Sequence, residues 1–459
     1  MDDATPLPTA TYADVRELFL GLQTPAELAA LLQTDYQALR NLLYYTPHAR
    51  LYRSFGVPKR SGGVREILAP TQHLKDLQTR LNSILQCVYL PQHKLSVHGF
   101  LPGRSILTGA KFHTKQRYVL NIDLQDFFPS INFGRVRGLF MGTPYHLDAR
   151  VATVLAQICC FANQLPQGAP TSPVISNMIC ARMDSHLQRL AASQRCFYTR
   201  YADDLSFSTY TGTFPLALAV IGPDNRVEIG GQLAEVVAKN GFRINPAKTR
   251  LQRCTHRQEV VGLIVNDFPN VERRYVRHIR SMLYAWEKHG YEAAQAEFVR
   301  QYDHAPRHRV NKRLFAQVIQ GRIAFLGMIR SKHNPAYLRF IARLRLLAPE
   351  MVPADAALTP SLPGTSQVVL NAGQLQRFQQ VLLAAFPHQA DLAQMVRFGL
   401  DKNLEEITGG ERLTDRVFSL LEWAGAHDKY GALLSAAYRA NPDNLALRAL
   451  TVDFGITDV

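Results

Sequence analysis

The 459-residue sequence predicts an α+β chain that ends in a small all-α helical bundle, and three observations carry that expectation. Strand-like and helix-like segments alternate through the first 270 or so residues, with aspartates at strand ends. Strongly basic helical segments follow, from 272 to about 347. A proline-rich stretch with hardly any charge, "APEMVPADAALTPSLPG" (348–364), then separates them from about ninety residues of purely helical periodicity.

Each segment has its own justification. Residues 24–43 read as a helix: Thr24 caps it, Pro25 suits its first turn, Glu27 completes a capping box, and leucines line one face. "GVPKRSGGVREILAP" (56–70) reads as a hairpin turning at Ser-Gly-Gly. Residues 71–89 are helical again. A short apolar strand, Tyr118–Ile122, runs into Asp123. Residues 171–193 form a further helix and 197–208 a hairpin whose tip carries "YADD". A helix and a strand around Lys248 come next, then a strand in "EVVGLIVN".

Charge is unevenly spread. Residues 1–349 hold 44 Lys and Arg against 24 Asp and Glu, a surplus of 20, whereas residues 350–459 hold 8 against 13. A surplus of that size, confined to one part, fits a phosphate-bearing partner. No apolar run reaches the ~18 residues of a membrane span, and the acidic start is unlike a secretory signal, so a cytoplasmic protein is expected. The six cysteines form no CxxC pair and sit mostly among apolar neighbours, as buried thiols in a reducing compartment would.

Two adjacent aspartates at a hairpin tip repel one another. Turn chemistry explains one of them; a divalent cation explains both. With Asp123 ending an earlier strand, three carboxylates would converge on one spot, prohibitive without cations and a clamp with two Mg²⁺ ions. A carboxylate on one strand and a paired carboxylate on a later hairpin is the layout of a polymerase palm.

At this point four motifs in order resemble those of reverse transcriptases: "NIDLQDFFPSI", "LPQGAPTSPVISN", "RYADDLSFS" and "NPAKT". The resemblance covers roughly residues 50–330. It implies a right-hand polymerase fold, with an N-terminal helical segment (1–50), fingers and palm (51–271), a basic helical thumb (272–347), a linker (348–364) and a helical domain (365–459). It implies RNA-templated DNA synthesis from deoxynucleoside triphosphates, with two Mg²⁺ ions or Mn²⁺ as a substitute. Asp123 and Asp203 would hold both ions, Asp204 would be more peripheral, and the Leu124 carbonyl an extra ligand. Phe128 stands at the sugar gate, where a planar ring excludes a ribose 2′-hydroxyl. Arg65, with Lys59 or Arg60, would cover the triphosphate, because arginine's planar fork pairs two phosphate oxygens. Gln167 and Gly168 would border nucleotide and template, and Lys248 would neutralise the pyrophosphate.

Within that family the sequence looks most like bacterial retron enzymes, single chains that copy part of a dedicated structured RNA into DNA. Two segments, "VHGFLPGRSILTGAKFH" and "EVVGLIVNDFPNVERRYVRHIR", occupy the places of the retron hallmarks but depart from them. Gly109 stands where Asn is usual in Asn-Ala-x-x-His, with His113 kept as an RNA contact; Val261 stands where Thr is usual in Val-Thr-Gly. Neighbouring defence-associated and group II intron-like enzymes therefore stay open, as does a catalytically idle scaffold. In the thumb, Arg273, Arg274, Arg277, Arg280, Arg307, Arg309, Lys312, Arg313 and Arg322 interleave with Tyr275, Tyr284 and Trp286, a combination suited to RNA phosphates and unpaired bases. The C-terminal region is net acidic and lacks a catalytic constellation. It resembles the effector-associated, death-like adaptor domains of bacterial conflict systems, which implies a separately encoded effector partner and a role in antiphage defence.

Overall fold

The computed structural model describes residues 12–59, 62–90, 93–222, 226–302 and 315–351; beyond these it describes 372–400, 402–408, 412–427, 429–441, 444, 446, 447, 449 and 450. The chain divides into two compact units, residues 1–352 and 353–459.

The first unit opens with α1 (Tyr12–Leu20), α2 (Pro25–Leu31) and α3 (Tyr36–Arg40). The capping box of Thr24 and Glu27 forms as the sequence indicates. The single helix expected over 24–43 does not. Gln33 enters the left-handed region (φ 53°), and Asp35 starts a new helix by accepting the Ala38 amide at 2.8 Å. A side-chain acceptor there competes with continuation of the helix. After α3, Asn41–Tyr45 widens into a π-helical turn.

Strands β1 (Tyr52–Pro58) and β2 (Val64–Pro70) pair as an antiparallel hairpin, and α4 (Gln72–Tyr89) buries Leu74, Leu77, Leu81, Ile84, Leu85 and Val88 on one face. Short α5 (Ile106–Ala110) precedes β3 (Tyr118–Asp123). Helices α6 (Phe133–Met141), α7 (Ala149–Cys159) and α8 (Ser172–Ser193) lead to β4 (Phe197–Tyr201) and β5 (Asp204–Thr209). The small hairpin β6 (Ala219–Ile221) and β7 (Val227–Ile229) leads to α9 (Gly231–Lys239) and then β8 (Arg250–Arg253). The central sheet is antiparallel in the order β4-β5-β3-β8. Val119, Leu120 and Ile122 of β3, side chains on both faces, are buried, so helices must cover both sides of the sheet.

"EVVGLIVN" is a two-residue hairpin rather than one strand: β9 (Glu259–Val260) and β10 (Leu263–Ile264) turn at Val261-Gly262, both at positive φ. The basic segment is α10 (Arg273–His289), α11 (Tyr291–Tyr302), α12 (Phe315–Arg330) and α13 (Pro335–Leu347). Its core holds Ile279, Leu283, Phe315, Ile323, Phe340 and Leu344. Of the proline-rich stretch, 352–364 lies outside the described residues.

The second unit contains α14 (Ala372–Ala385), α15 (Gln389–Leu400), α16 (Leu404–Ile407), α17 (Leu413–Ala426) and α18 (Tyr430–Ala440). They share a core of Phe378, Leu382, Leu392, Leu420, Leu421 and Leu433. Among the described residues no helix is long and apolar enough to cross a membrane. The cysteines are all free; Cys254 is exposed, against the expectation of burial, because β8 ends in a surface turn.

Candidate active site

The acidic residues meet because two strands end together. Asp123 closes β3 and lies directly opposite Asp204, the first residue of β5. Ala202 and Asp203 form the two-residue turn between β4 and β5, with Tyr201 paired to Asp204 across it. Ala202 is left-handed (φ 56°), as the tight hairpin turns that match strand twist require. The turn is tied to β3 through the Leu124 amide, which donates to the Asp203 carbonyl at 3.0 Å.

The carboxylates disfavour one another's charge. Burial raises the Asp203 carboxyl above its usual range, and the negative charge of Asp123 raises it further. Burial, then Asp203 and Asp123, push Asp204 up to about 7, although part of its side chain reaches solvent. Lys248 and Arg65 oppose the shift at Asp203, and Lys248 and Arg250 at Asp204. Asp123 is already satisfied: Lys248 Nζ lies 2.7 Å from Oδ2, and the Asn245 side chain approaches Oδ1 at 3.4 Å. The donor set, three hard carboxylates repelling one another, fits a divalent cation. Among the described residues, however, no three carboxylate, imidazole or thiol groups stand close enough as placed to hold one.

The other expected residues surround this cluster. The hairpin β1–β2 reaches it: Arg65 is close enough to Asp203 to lower its pKa, and Lys59 lies exposed near the hairpin tip. Gln167 accepts the Leu68 amide of β2 at 2.8 Å. Gly168 (φ 132°) is packed so closely that a Cβ would stand 2.7 Å from the Leu68 carbonyl oxygen, so no other residue fits. Of the two phenylalanines, Phe127 is buried and stacked on Phe242 at 5.6 Å, whereas Phe128 is partly exposed beside Phe100.

A second layer, which sequence reasoning missed, holds the turn from behind. Arg200 is fully buried, its Nε and Nη2 each 2.7 Å from a different oxygen of Asp184. Its Nη1 donates to Asn177 Oδ1 at 3.0 Å and to the Ala202 carbonyl at 3.2 Å, inside the Asp203 turn. Asn177 in turn donates to the Gly99 carbonyl at 2.9 Å, and Gly99 is there because a Cβ would lie 2.6 Å from the Ala202 nitrogen. A signal was present: Asn177 and Asp184 are seven apart, hence on one face of α8, which they share with the buried Cys180, Leu187 and Ala191.

Two expectations are corrected. His113 is not an RNA contact; it is wholly buried, with Nδ1 2.7 Å from Ser208 Oγ and Nε2 2.7 Å from Thr199 Oγ1, cross-linking β4 and β5. Trp286 is not a stacking platform, being buried against Tyr291 and Phe315. Tyr275 is half-buried, its hydroxyl donating to the Arg322 carbonyl and its ring under the Arg322 guanidinium. By contrast Arg273, Arg274, Arg277, Arg280 and Tyr284 are exposed on α10. Arg60, Arg307, Arg309, Lys312 and Arg313 lie outside the described residues. At Gly109 a Cβ would stand 3.3 Å from the buried His98 ring, so a larger residue there requires that ring to give by a few tenths of an ångström.

Opposed carboxylates on adjacent antiparallel strands, capped by a finger-like hairpin and followed by basic helices, define a nucleotidyl-transferring polymerase palm. The family described as reverse transcriptase (RNA-dependent DNA polymerase) matches residues 57–265, and effector-associated domain 1 matches residues 370–455. The retron Ec86 reverse transcriptase of Escherichia coli is 34% identical over 262 residues, covering 56% of this chain and 76% of that protein. The retron Mx65 and Mx162 reverse transcriptases of Myxococcus xanthus are 38% and 37% identical, over 57% and 58% of this chain. The chain belongs to the retron reverse transcriptases. The match spans 62% and 59% of the two Myxococcus proteins' own lengths. A solved telomerase of Candida albicans aligns with 64% of this chain and 63% of its own at 11% identity and a TM-score of 0.35, too low for anything to rest on it.

Proposed function

We propose that this protein is an RNA-directed DNA polymerase that copies a dedicated structured RNA into a short DNA. The observation that carries this reading is the register of β3 against β5, which sets Asp123 opposite Asp204 with Asp203 in the adjoining turn. Asp123, Asp203, Asp204 and the Leu124 carbonyl are the residues that would hold two divalent ions. Such ions lower the cost of deprotonating the attacking 3′-hydroxyl and stabilise charge on the departing pyrophosphate.

The chain's own groups supply the rest. Arg65 and Lys59, on the hairpin above the carboxylates, bind the triphosphate of the incoming deoxynucleotide. Phe128 offers a ring edge where a ribose 2′-hydroxyl would stand, and so selects deoxyribose. Gln167 and Gly168 let the backbone run close to nucleotide and template. Lys248, paired with Asp123 at 2.7 Å, carries the charge that would neutralise the departing pyrophosphate. The arginines exposed on α10 take the RNA backbone, with Tyr284 beside them for an unpaired base.

Residues 365–459 serve as an adaptor for a separately encoded effector, so that the complex acts in antiphage defence. The match to an effector-associated domain supports this, as does the unit's own core. Primer extension on an RNA template tests the polymerase: wild type should incorporate labelled deoxynucleotide, and Asp203→Asn/Asp204→Asn should incorporate none. Equal incorporation by both would refute the reading. Deletion of 365–459 should leave extension intact and abolish effector pull-down and defence; loss of extension instead would make the unit a brace for the polymerase.

A further inference from the structure

Away from the carboxylates, the N-terminal helices form a solvent-open cavity of about 360 Å³ against α6 and α7. Its lining is of two kinds. Leu39, Leu43 and Val154 form a buried apolar floor. Three guanidiniums, from Arg40, Arg137 and Arg150, come from three different helices, and among the described residues no carboxylate lines the cavity. Tyr36 and Tyr44 stand at it with 40% and 53% of their surfaces exposed.

The arginines are held yet not consumed. Arg40 Nη2 donates to the Tyr45 hydroxyl at 3.1 Å, and Arg137 Nε donates to Thr153 Oγ1 at 2.9 Å. Each bond uses one of five donors. Arg150 is paired with Asp148 at 3.1 Å, but its side chain is 70% exposed, so that pair is weak. The cavity therefore carries a net positive charge over an apolar floor. The π-helical turn Asn41–Tyr45 builds this wall: it sends Leu43 inward and leaves Tyr44 and Tyr45 outward. Such turns are frequent at functional sites.

A ring-shaped apolar group with attached phosphate matches these features. The volume is near the lower end of ligand pockets, roughly 300–1,000 Å³; it admits one base with its ribose and excludes a duplex. A phosphate alone would not need the floor, and a peptide would not need three arginines. From this we infer that the cavity between α3, α6 and α7 captures one unpaired nucleotide of the RNA, its base beside Tyr44 on the apolar floor and its flanking phosphates on Arg40, Arg137 and Arg150. This rests on the proposal that the chain works on RNA, and gives that RNA a fixed point remote in sequence from the thumb arginines.

The test is fluorescence anisotropy of the full chain with a short labelled oligoadenylate RNA across a salt series. Arg40→Gln/Arg150→Gln should weaken binding about tenfold or more. It should also lower the slope of log affinity against log salt by about 1.4, since each phosphate contact on a single strand contributes about 0.7. Tyr44→Ala should weaken binding roughly 5- to 150-fold, the range of one lost stacking contact, without changing the slope. Wild-type affinity and slope in both variants would overturn the proposal. Displacement of the RNA by an equal concentration of adenosine monophosphate would also overturn it, by marking a free-nucleotide site. Primer extension by wild type at saturating template, run in parallel, reports on the polymerase reading separately. Extension with unchanged RNA binding in the variants condemns the cavity alone, whereas no extension and no RNA binding by wild type condemns both.

Discussion

Removing the Arg200 guanidinium separates what the buried network does for stability from what it does for the catalytic turn. In Arg200→Met, Asp184 becomes a fully buried carboxylate whose remaining donor, among the described residues, is the Tyr198 hydroxyl at 2.8 Å. Breaking a buried pair in this way costs about 3–5 kcal/mol. The second substitution in Arg200→Met/Asp184→Asn removes the orphaned charge, keeps an acceptor for Tyr198, and should return about 2–3 kcal/mol of that loss. Neither variant restores the donor to the Ala202 carbonyl, so the Asp203 turn is released from α8 in both. A displacement of about 1 Å at a reacting group costs on the order of 100-fold in rate. Urea unfolding and single-turnover nucleotide incorporation, measured on the same preparations, should therefore diverge. Stability should largely recover in the double variant while the rate stays about 100-fold down, with the apparent affinity for the deoxynucleotide changed much less. A double variant that recovers both would refute the reasoning, as would a single variant of wild-type stability and rate.

Three further outcomes are expected. Asp204→Asn should stabilise the metal-free protein by about 1–2 kcal/mol at pH 7 in urea unfolding, because it removes a repelled carboxylate whose exposure to solvent screens part of the repulsion. His113 is held down to about 3, mainly by burial, so the unfolded state binds the proton first. Stability should then be full above pH 6.5 and fall below it, by about 2 kcal/mol between pH 6.5 and 5 for this residue alone, with a shallower pH dependence in His113→Gln. Val261 holds a β-branched side chain at φ 44°, the first position of a turn that favours Asn-Gly; Val261→Asn should raise the unfolding midpoint by the equivalent of about 1 kcal/mol, and a lower midpoint would show that the valine side chain has packing contacts that outweigh its strain.

Much of the protein is determined by local sequence rules. The capping box at Thr24, the β1–β2 hairpin, the long helices α4 and α8, and the aspartates at strand ends all follow from spacing and turn chemistry within a few residues. So does the division between a basic first unit and an acidic second one, since charge and periodicity are additive along the chain. What only the tertiary structure decided depends on residues distant in sequence meeting. His113 and Trp286 look like surface ligands because their types are common at RNA sites, but the sheet and the thumb core close over them. Gln33 and Asp35 break a helix that its leucines alone would have continued, because a capping side chain offers the backbone a competing bond. The Arg200 clamp joins α8, β4 and the Gly99 segment, and its parts become a unit only once β4 lies against α8. The β4–β5 hairpin places two carboxylates at its turn; only the pairing of β3 with β5 sets Asp123 opposite Asp204, because register is set by packing on both faces of the sheet and not by the strand itself.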